Sequence, residues 1–224
     1  MMDGTDRYLA PYLYLRRAIG VIGLALPFAL LAGSPLLAGP APGSISGYYH
    51  SELRDVLVGT LCAIGVFLLA YRFDSDGDDL VSDNRLTNAA GAAAVAVALF
   101  PTSATDAPIT WVAVVHGCAA VVFFALLAYL SAFRFTRPDP GTALDAAKRR
   151  RNTVYRVCGA VIAVTLVVAL ADALLGEPGS RLFWEETVMV LAFAVSWLVK
   201  GHVLGGATPT GDAAASPAPV VGQA

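Results

Sequence analysis

Charge is scarce in this chain, and so are the residues that build most metal and redox centres. Asp, Glu, Lys and Arg make up only 14% of its 224 residues, against roughly 25% in soluble globular domains. With 57% hydrophobic residues and a mean hydropathy of +0.65, that shortage excludes an ordinary soluble domain. The three cysteines, Cys62, Cys118 and Cys158, match no zinc or redox spacing and all fall in apolar stretches. They are read as small hydrophobes. Histidine is limited to His50, His116 and His202, so no two His share a helical turn. The net charge of −2 carries little information, and the basic residues border apolar stretches instead of covering one soluble face. No nucleic-acid partner is implied.

What the chain does have is apolar length. A helix needs about 20 largely apolar residues to cross a hydrocarbon core of ~30 Å. Six stretches qualify as spans, at about 18–37, 56–71, 86–100, 109–133, 154–175 and 183–199. The third is short and rich in alanine (Ala89-Ala90-Gly91-Ala92-Ala93-Ala94), which suits close helix–helix packing inside a bundle better than lipid contact. Of the 15 basic residues, Arg54 and Arg181 fall in one set of connectors and all the others in the opposite set. Short cytoplasmic connectors carry such an excess. The expected fold is therefore all-α, a polytopic membrane bundle of six transmembrane helices with both termini cytoplasmic, in a bacterial cytoplasmic (plasma) membrane. Residues 1–204 form the bundle. The Ala-, Pro- and Gly-rich residues 205–224 are expected to be a disordered cytoplasmic tail.

Two local features have competing readings. Arg16 and Arg17 precede an apolar stretch that ends near Leu37-Ala38-Gly39-Pro40-Ala41, as in a signal peptide. The stretch exceeds the usual 7–15 residues and its prolines suit cleavage badly, so a retained helix is expected. Cleavage would leave five spans. The run Lys148-Arg149-Arg150-Arg151 is read as a topology signal, compatible also with anionic lipid headgroups. The acidic connector Asp74-Ser75-Asp76-Gly77-Asp78-Asp79 has its Gly fourth and Arg85 twelfth, against sixth and Glu in an EF-hand loop. It is a solvated turn.

Ionisable groups inside spans are costly and mark sites by default. Asp55 opens the second span, behind His50, Glu52 and Arg54. His116 lies about seven residues into the fourth, roughly 10 Å deep. Asp172 stands near the outer end of the fifth, and Glu185 and Glu186 near the outer start of the sixth. All share the outer half. They define a candidate outward-facing pocket of Ser46, Tyr49, His50, Arg54, Asp55, His116, Asp172, Glu185 and Glu186. Each also has a structural explanation. Carboxylates in a first turn favour the exposed amides, a lone His bonds a neighbouring helix, and Tyr48 and Tyr49 anchor at the interface.

Three stretches carry a resemblance: Ser44-Ile45-Ser46 through Tyr48-Tyr49 into Arg54-Asp55-Val56-Leu57-Val58-Gly59; Val97-Ala98-Leu99-Phe100-Pro101-Thr102; and Ser196-Trp197-Leu198-Val199-Lys200-Gly201. With Lys148-Arg149-Arg150-Arg151-Asn152 and Tyr155-Arg156-Val157-Cys158-Gly159, the chain resembles a group of small bacterial polytopic membrane proteins known as hypothetical proteins. That resemblance implies six helices and no activity. A second one is to alkaline ceramidases and adiponectin-receptor-like proteins, seven-helix zinc hydrolases with a Ser-x3-His, an Asp and a His-x3-His. Ser46, His50 and Asp55 match the first elements. The chain departs in lacking His-x3-His and a seventh helix. Zinc, implied only under this resemblance, would have to use His50, His116 and a carboxylate such as Asp55. Lys200 at a span boundary is a topology anchor, not a retinal attachment point.

Three functions follow as expectations. The leading one is a non-enzymatic membrane protein without cofactor, binding a small molecule or lipid headgroup in the outer pocket. The second is a metal-dependent hydrolase of a lipid amide or ester. The third is a small transporter, which the lack of an internal repeat, of a mid-membrane charge relay and of paired broken helices disfavours. Membrane lipids are the expected partners, with a membrane-protein partner or a second copy compatible.

Overall fold

The computed structural model describes residues 4–38, 41–71, 83–104, 107–137, 145–176 and 181–201. The acidic connector 74–79, Arg72, His202 and the tail 205–224 lie outside the described residues. Among those described, six α-helices carry the fold: α1 (Gly4–Gly33), α2 (Arg54–Ala70), α3 (Asp83–Leu99), α4 (Trp111–Tyr129), α5 (Ala146–Leu175) and α6 (Arg181–Lys200). π-helical turns extend α1 over Ser34–Ala38 and α4 over Leu130–Arg134. A 3₁₀ turn at Ser46–His50 precedes α2. No strand occurs among the described residues.

Among the described residues, four stretches are long and apolar enough to cross a membrane: Tyr14–Leu37, Trp111–Arg134, Ala146–Leu175 and Arg181–Lys200. α2 and α3 are shorter, 17 residues each. That is roughly 25 Å of helix, a little under the ~30 Å core. α3 also spends its first turn on Asp83-Asn84-Arg85. Helix bounds otherwise differ from the expected spans mainly by polar extensions. α1 starts at Gly4, ahead of Ala18, and α5 at Ala146, ahead of Val154.

Local chemistry fixes the ends. The Thr110 hydroxyl accepts the Ala113 amide at 3.2 Å to start α4, and the Asp145 carboxylate accepts the Lys148 amide at 2.6 Å to start α5. Gly176, at φ 78°, closes α5 in the left-handed conformation that a side chain would strain. Pro101 and Pro108 bracket the turn between α3 and α4.

Each helix packs against its neighbours in sequence, and α6 closes the cycle against α1. Small residues set two of these crossings. A methyl added at Gly65 would lie 2.9 Å from the Gly91 carbonyl oxygen, and one at Gly91 would lie 2.7 Å from the Gly65 carbonyl oxygen. α2 and α3 therefore touch backbone to backbone, as an alanine- and glycine-rich helix allows. Gly159 of α5 meets the Ala128 carbonyl of α4 in the same way, at 2.8 Å.

The alternation of helices gives the bundle two ends. At one, the Phe183 amide donates to the Gly43 carbonyl at 2.8 Å, joining the start of α6 to the segment before α2. At the other, Trp197 is fully buried in an aromatic cluster, edge-on to Tyr71 and Phe135 with ring centroids 5.2 Å away in both cases. Arg16 lies over the Tyr71 ring and Lys200 over Phe135, which places their charges beside aromatic faces. Arg54 and Arg181 belong to the first end. Arg16, Arg17, Arg85, Arg134, Arg137, the basic run 148–151 and Lys200 belong to the second. The outward faces of α4 and α5 are strongly apolar, with Phe133, Val164, Val167 and Leu174 all exposed.

Candidate functional site

The first end is organised around the segment 41–53, and Glu186 of α6 holds it. The Glu186 Oε2 accepts the backbone N–H groups of Ile45 and Ser46, and Oε1 accepts the Ser46 hydroxyl at 2.9 Å. The Ser44 hydroxyl accepts the Gly47 amide at 2.9 Å. Beneath them Tyr48 is fully buried and donates to Ser34 Oγ at 2.6 Å, while Ser34 donates to the Leu30 carbonyl. A half-buried carboxylate needs donors to offset its lost hydration, and this loop supplies three.

His116 is buried on the inner side of α4. Its Nδ1 lies 2.7 Å from the Phe100 carbonyl and 3.2 Å from that of Val97. Carbonyls only accept, so Nδ1 carries the hydrogen. The imidazole thus caps α3, supplying a donor to carbonyls that a helix C-terminus leaves open.

These residues share one cavity. Ser46, His116 and Glu186 line a space of about 190 Å³ with Thr102 of the α3–α4 turn. Its remaining walls are Ala113, Gly117, Ala120, Val121 and Phe124 from α4, Leu166, Ala169 and Leu170 from α5, and Leu182 and Met189 from α6. The composition is an apolar slot with a few polar groups at one end. Sites for drug-sized ligands typically enclose ~300–1,000 Å³, so the size of this one matches a small molecule or the end of a larger one.

The other expected residues lie around the cavity, not on its wall. His50 Nε2 is 2.8 Å from the Thr102 carbonyl, bridging the loop to the α3–α4 turn. Arg54 donates to the Tyr49 hydroxyl at 2.6 Å and lies over its ring, 4.2 Å from the centroid. Asp55 is exposed in the first turn of α2. Asp172 and Glu185 face one another between α5 and α6, and Arg181 approaches Asp172 to 3.7 Å. The structure therefore draws three of the nine residues into a single cavity, places Tyr49, His50, Arg54, Asp172 and Glu185 in local contacts outside it, and leaves Asp55 exposed. Of the second, fourth, fifth and sixth spans expected to build the pocket, α4, α5 and α6 line this cavity and α2 does not.

Among the described residues, no three of His, Cys, Asp and Glu stand close enough to hold a metal ion. The set His50, His116 and Asp55 is dispersed, with one nitrogen of each imidazole bonded to a backbone carbonyl. The polar contacts that sequence reasoning missed are the buried hydroxyl pairs Ser34–Tyr48 and Ser131–Ser196, the latter at 2.9 Å. Serine within an apolar span was the available signal.

Comparison with protein-family models, with curated proteins and with solved structures finds no match to this chain.

Proposed function

We propose that this chain is an integral membrane protein of six spans, non-enzymatic, with both termini in the cytoplasm of a bacterial cell. In this reading the end that carries Ser46 and Glu186 faces outward, and the cavity there binds a small amphiphile or a lipid headgroup. The four long apolar helices support membrane insertion. So do Trp111 and Trp184, exposed at the same end as interfacial aromatics are. α2 and α3 complete the count as short helices paired with each other within the bundle.

The single observation that carries the binding reading is the convergence of Ser46, His116 and Glu186 on one mostly apolar cavity. Nδ1 of His116 is occupied by the end of α3, which leaves Nε2 as the imidazole atom able to meet a ligand. The Glu186 carboxylate is committed to the loop by three hydrogen bonds. The ligand therefore needs one donor or acceptor for the polar end and an apolar body for the walls of α4 and α5.

The test is mass spectrometry of molecules released from the detergent-purified protein, beside Ala120→Trp, which fills the slot. A compound retained by the wild type and absent from a folded Ala120→Trp protein is the expected result. Identical extracts from the two proteins would defeat the binding reading.

A further inference from the structure

A second groove lies at the opposite end of the bundle, between α5 and α6. It encloses about 610 Å³ and is lined by Ala146, Ala147, Arg150, Arg151 and Val154 from α5 and Val195 and Val199 from α6. Charge and apolarity are separated along it. Arg150 and Arg151 form the rim at the start of α5. Val154, Val195 and Val199 form the floor one turn further into the bundle, where the expected span begins.

Arg150 is exposed and Arg151 half-buried. Neither has a hydrogen-bond or ion-pair partner among the described residues. Two of their charged neighbours have partners of their own. Asp145 caps α5 through the Lys148 amide, and the Lys148 ammonium turns to the Phe135 carbonyl. Two guanidinium groups without a partner among the described residues, set above an apolar trough, fit an amphiphile with an anionic head.

We infer that this groove seats an anionic phospholipid. The phosphate sits on the guanidinium groups of Arg150 and Arg151, and an acyl chain lies along Val154, Val195 and Val199. Arginine forks bind phosphate oxygens in pairs, and basic clusters beside a span attract anionic lipid electrostatically. Charge complementarity sets this occupant apart from a second copy of the chain, which would bring the same basic run to the same place. The inference rests on the membrane reading above but not on the outer cavity.

The experiment uses the full chain reconstituted in phosphatidylcholine vesicles with and without phosphatidylglycerol. Resistance to an alkaline wash reports insertion. Native mass spectrometry after detergent extraction then counts retained lipid, with inorganic phosphate as competitor. The wild type is expected to retain phosphatidylglycerol over phosphatidylcholine. The double variant Arg150→Gln/Arg151→Gln should lose that preference by roughly ten- to thirty-fold, and Arg150→Lys/Arg151→Lys should keep most of it. Val195→Trp, which fills the floor, should release lipid of either headgroup.

Insertion without headgroup preference would overturn this inference and leave the membrane reading standing; failure to insert would overturn both. Equal competition by inorganic phosphate would reduce the site to an anion site and defeat the lipid assignment. A chain dimer that shows no lipid preference and is broken by Val195→Trp would give the groove to a second copy.

Discussion

Glu186 and Ser46, 140 residues apart in the chain, are joined by a 2.9 Å hydrogen bond from the serine hydroxyl to the carboxylate. The same carboxylate takes the backbone amides of Ile45 and Ser46. One side chain at the start of α6 thus holds the segment that leads into α2. Below it, the Tyr48 hydroxyl on Ser34 ties the loop to the end of α1.

Removing the carboxylate should therefore loosen the loop before it disturbs the helices. Glu186→Ala leaves two amides and a hydroxyl without their acceptor, at about 2–3 kcal/mol for hydrogen bonds to a charged group. Glu186→Gln keeps one acceptor and should cost less. The measurement is thermal unfolding in detergent together with protease cleavage within 41–53. A Glu186→Ala protein as stable and as resistant as the wild type would remove the staple from the account.

Backbone contact between α2 and α3 makes a sharper prediction. At Gly91 an added methyl would meet the Gly65 carbonyl oxygen and the Leu69 amide at 2.7 and 3.0 Å, both parts of the main chain. No side chain can swing aside to relieve this. Gly91→Ala and Gly65→Ala should each cost about 1–3 kcal/mol, the usual range for overpacking. Gly59→Ala, where nothing lies within 4 Å, should be neutral or gain up to about 1 kcal/mol from helix propensity. Equal unfolding temperatures for Gly59→Ala and Gly91→Ala would contradict the packing described.

Helix positions were legible from the sequence because they depend on local apolar length, which survives without any partner. Four of the expected stretches are long apolar helices, and the alanine-rich third is indeed a helix with much of its surface buried, Ala90, Ala94 and Ala98 almost fully. The rotation of each helix was not legible. Whether Asp172 faces Glu185 or the cavity, and whether Arg16 reaches Tyr71 at 2.7 Å, depends on turns of a few tens of degrees set by packing across the bundle. The same limit applied to His116, Ser46 and Glu186. Their shared depth was readable and their common cavity was a matter of helix rotation. Tyr71, which closes the second expected span, gave no hint that it would be fully buried against Trp197.

His116 separates stability from binding. His116→Ala removes the donor shared by the Phe100 and Val97 carbonyls, and buried carbonyls left without a donor cost about 1–3 kcal/mol. Thermal unfolding should register that loss. Ala120→Trp leaves the imidazole untouched and should displace any occupant of the cavity at little cost to the α3 end. A His116→Ala protein that unfolds at the wild-type temperature would contradict the capping role.

Sidedness can be read with a membrane-impermeant maleimide on intact cells. All three native cysteines lie within apolar helices, Cys62 in α2, Cys118 in α4 and Cys158 in α5, so the parent protein should stay unlabelled. Ala107 is exposed in the α3–α4 turn and Arg137 is exposed beyond the end of α4. If the basic end is cytoplasmic, Ala107→Cys labels in intact cells and Arg137→Cys only after permeabilisation. The argument for that order is energetic. Each arginine drawn to the outer face must cross the hydrocarbon during insertion, and the helix centre charges roughly 2.5–3.5 kcal/mol for it on insertion scales. With Arg54 and Arg181 against the whole remaining set, one orientation is far cheaper than the other. The reverse labelling pattern would invert the topology and move the Ser46–Glu186 cavity to the cytoplasmic face. Labelling of both positions in intact cells would remove the membrane barrier between them, and the six-span reading with it.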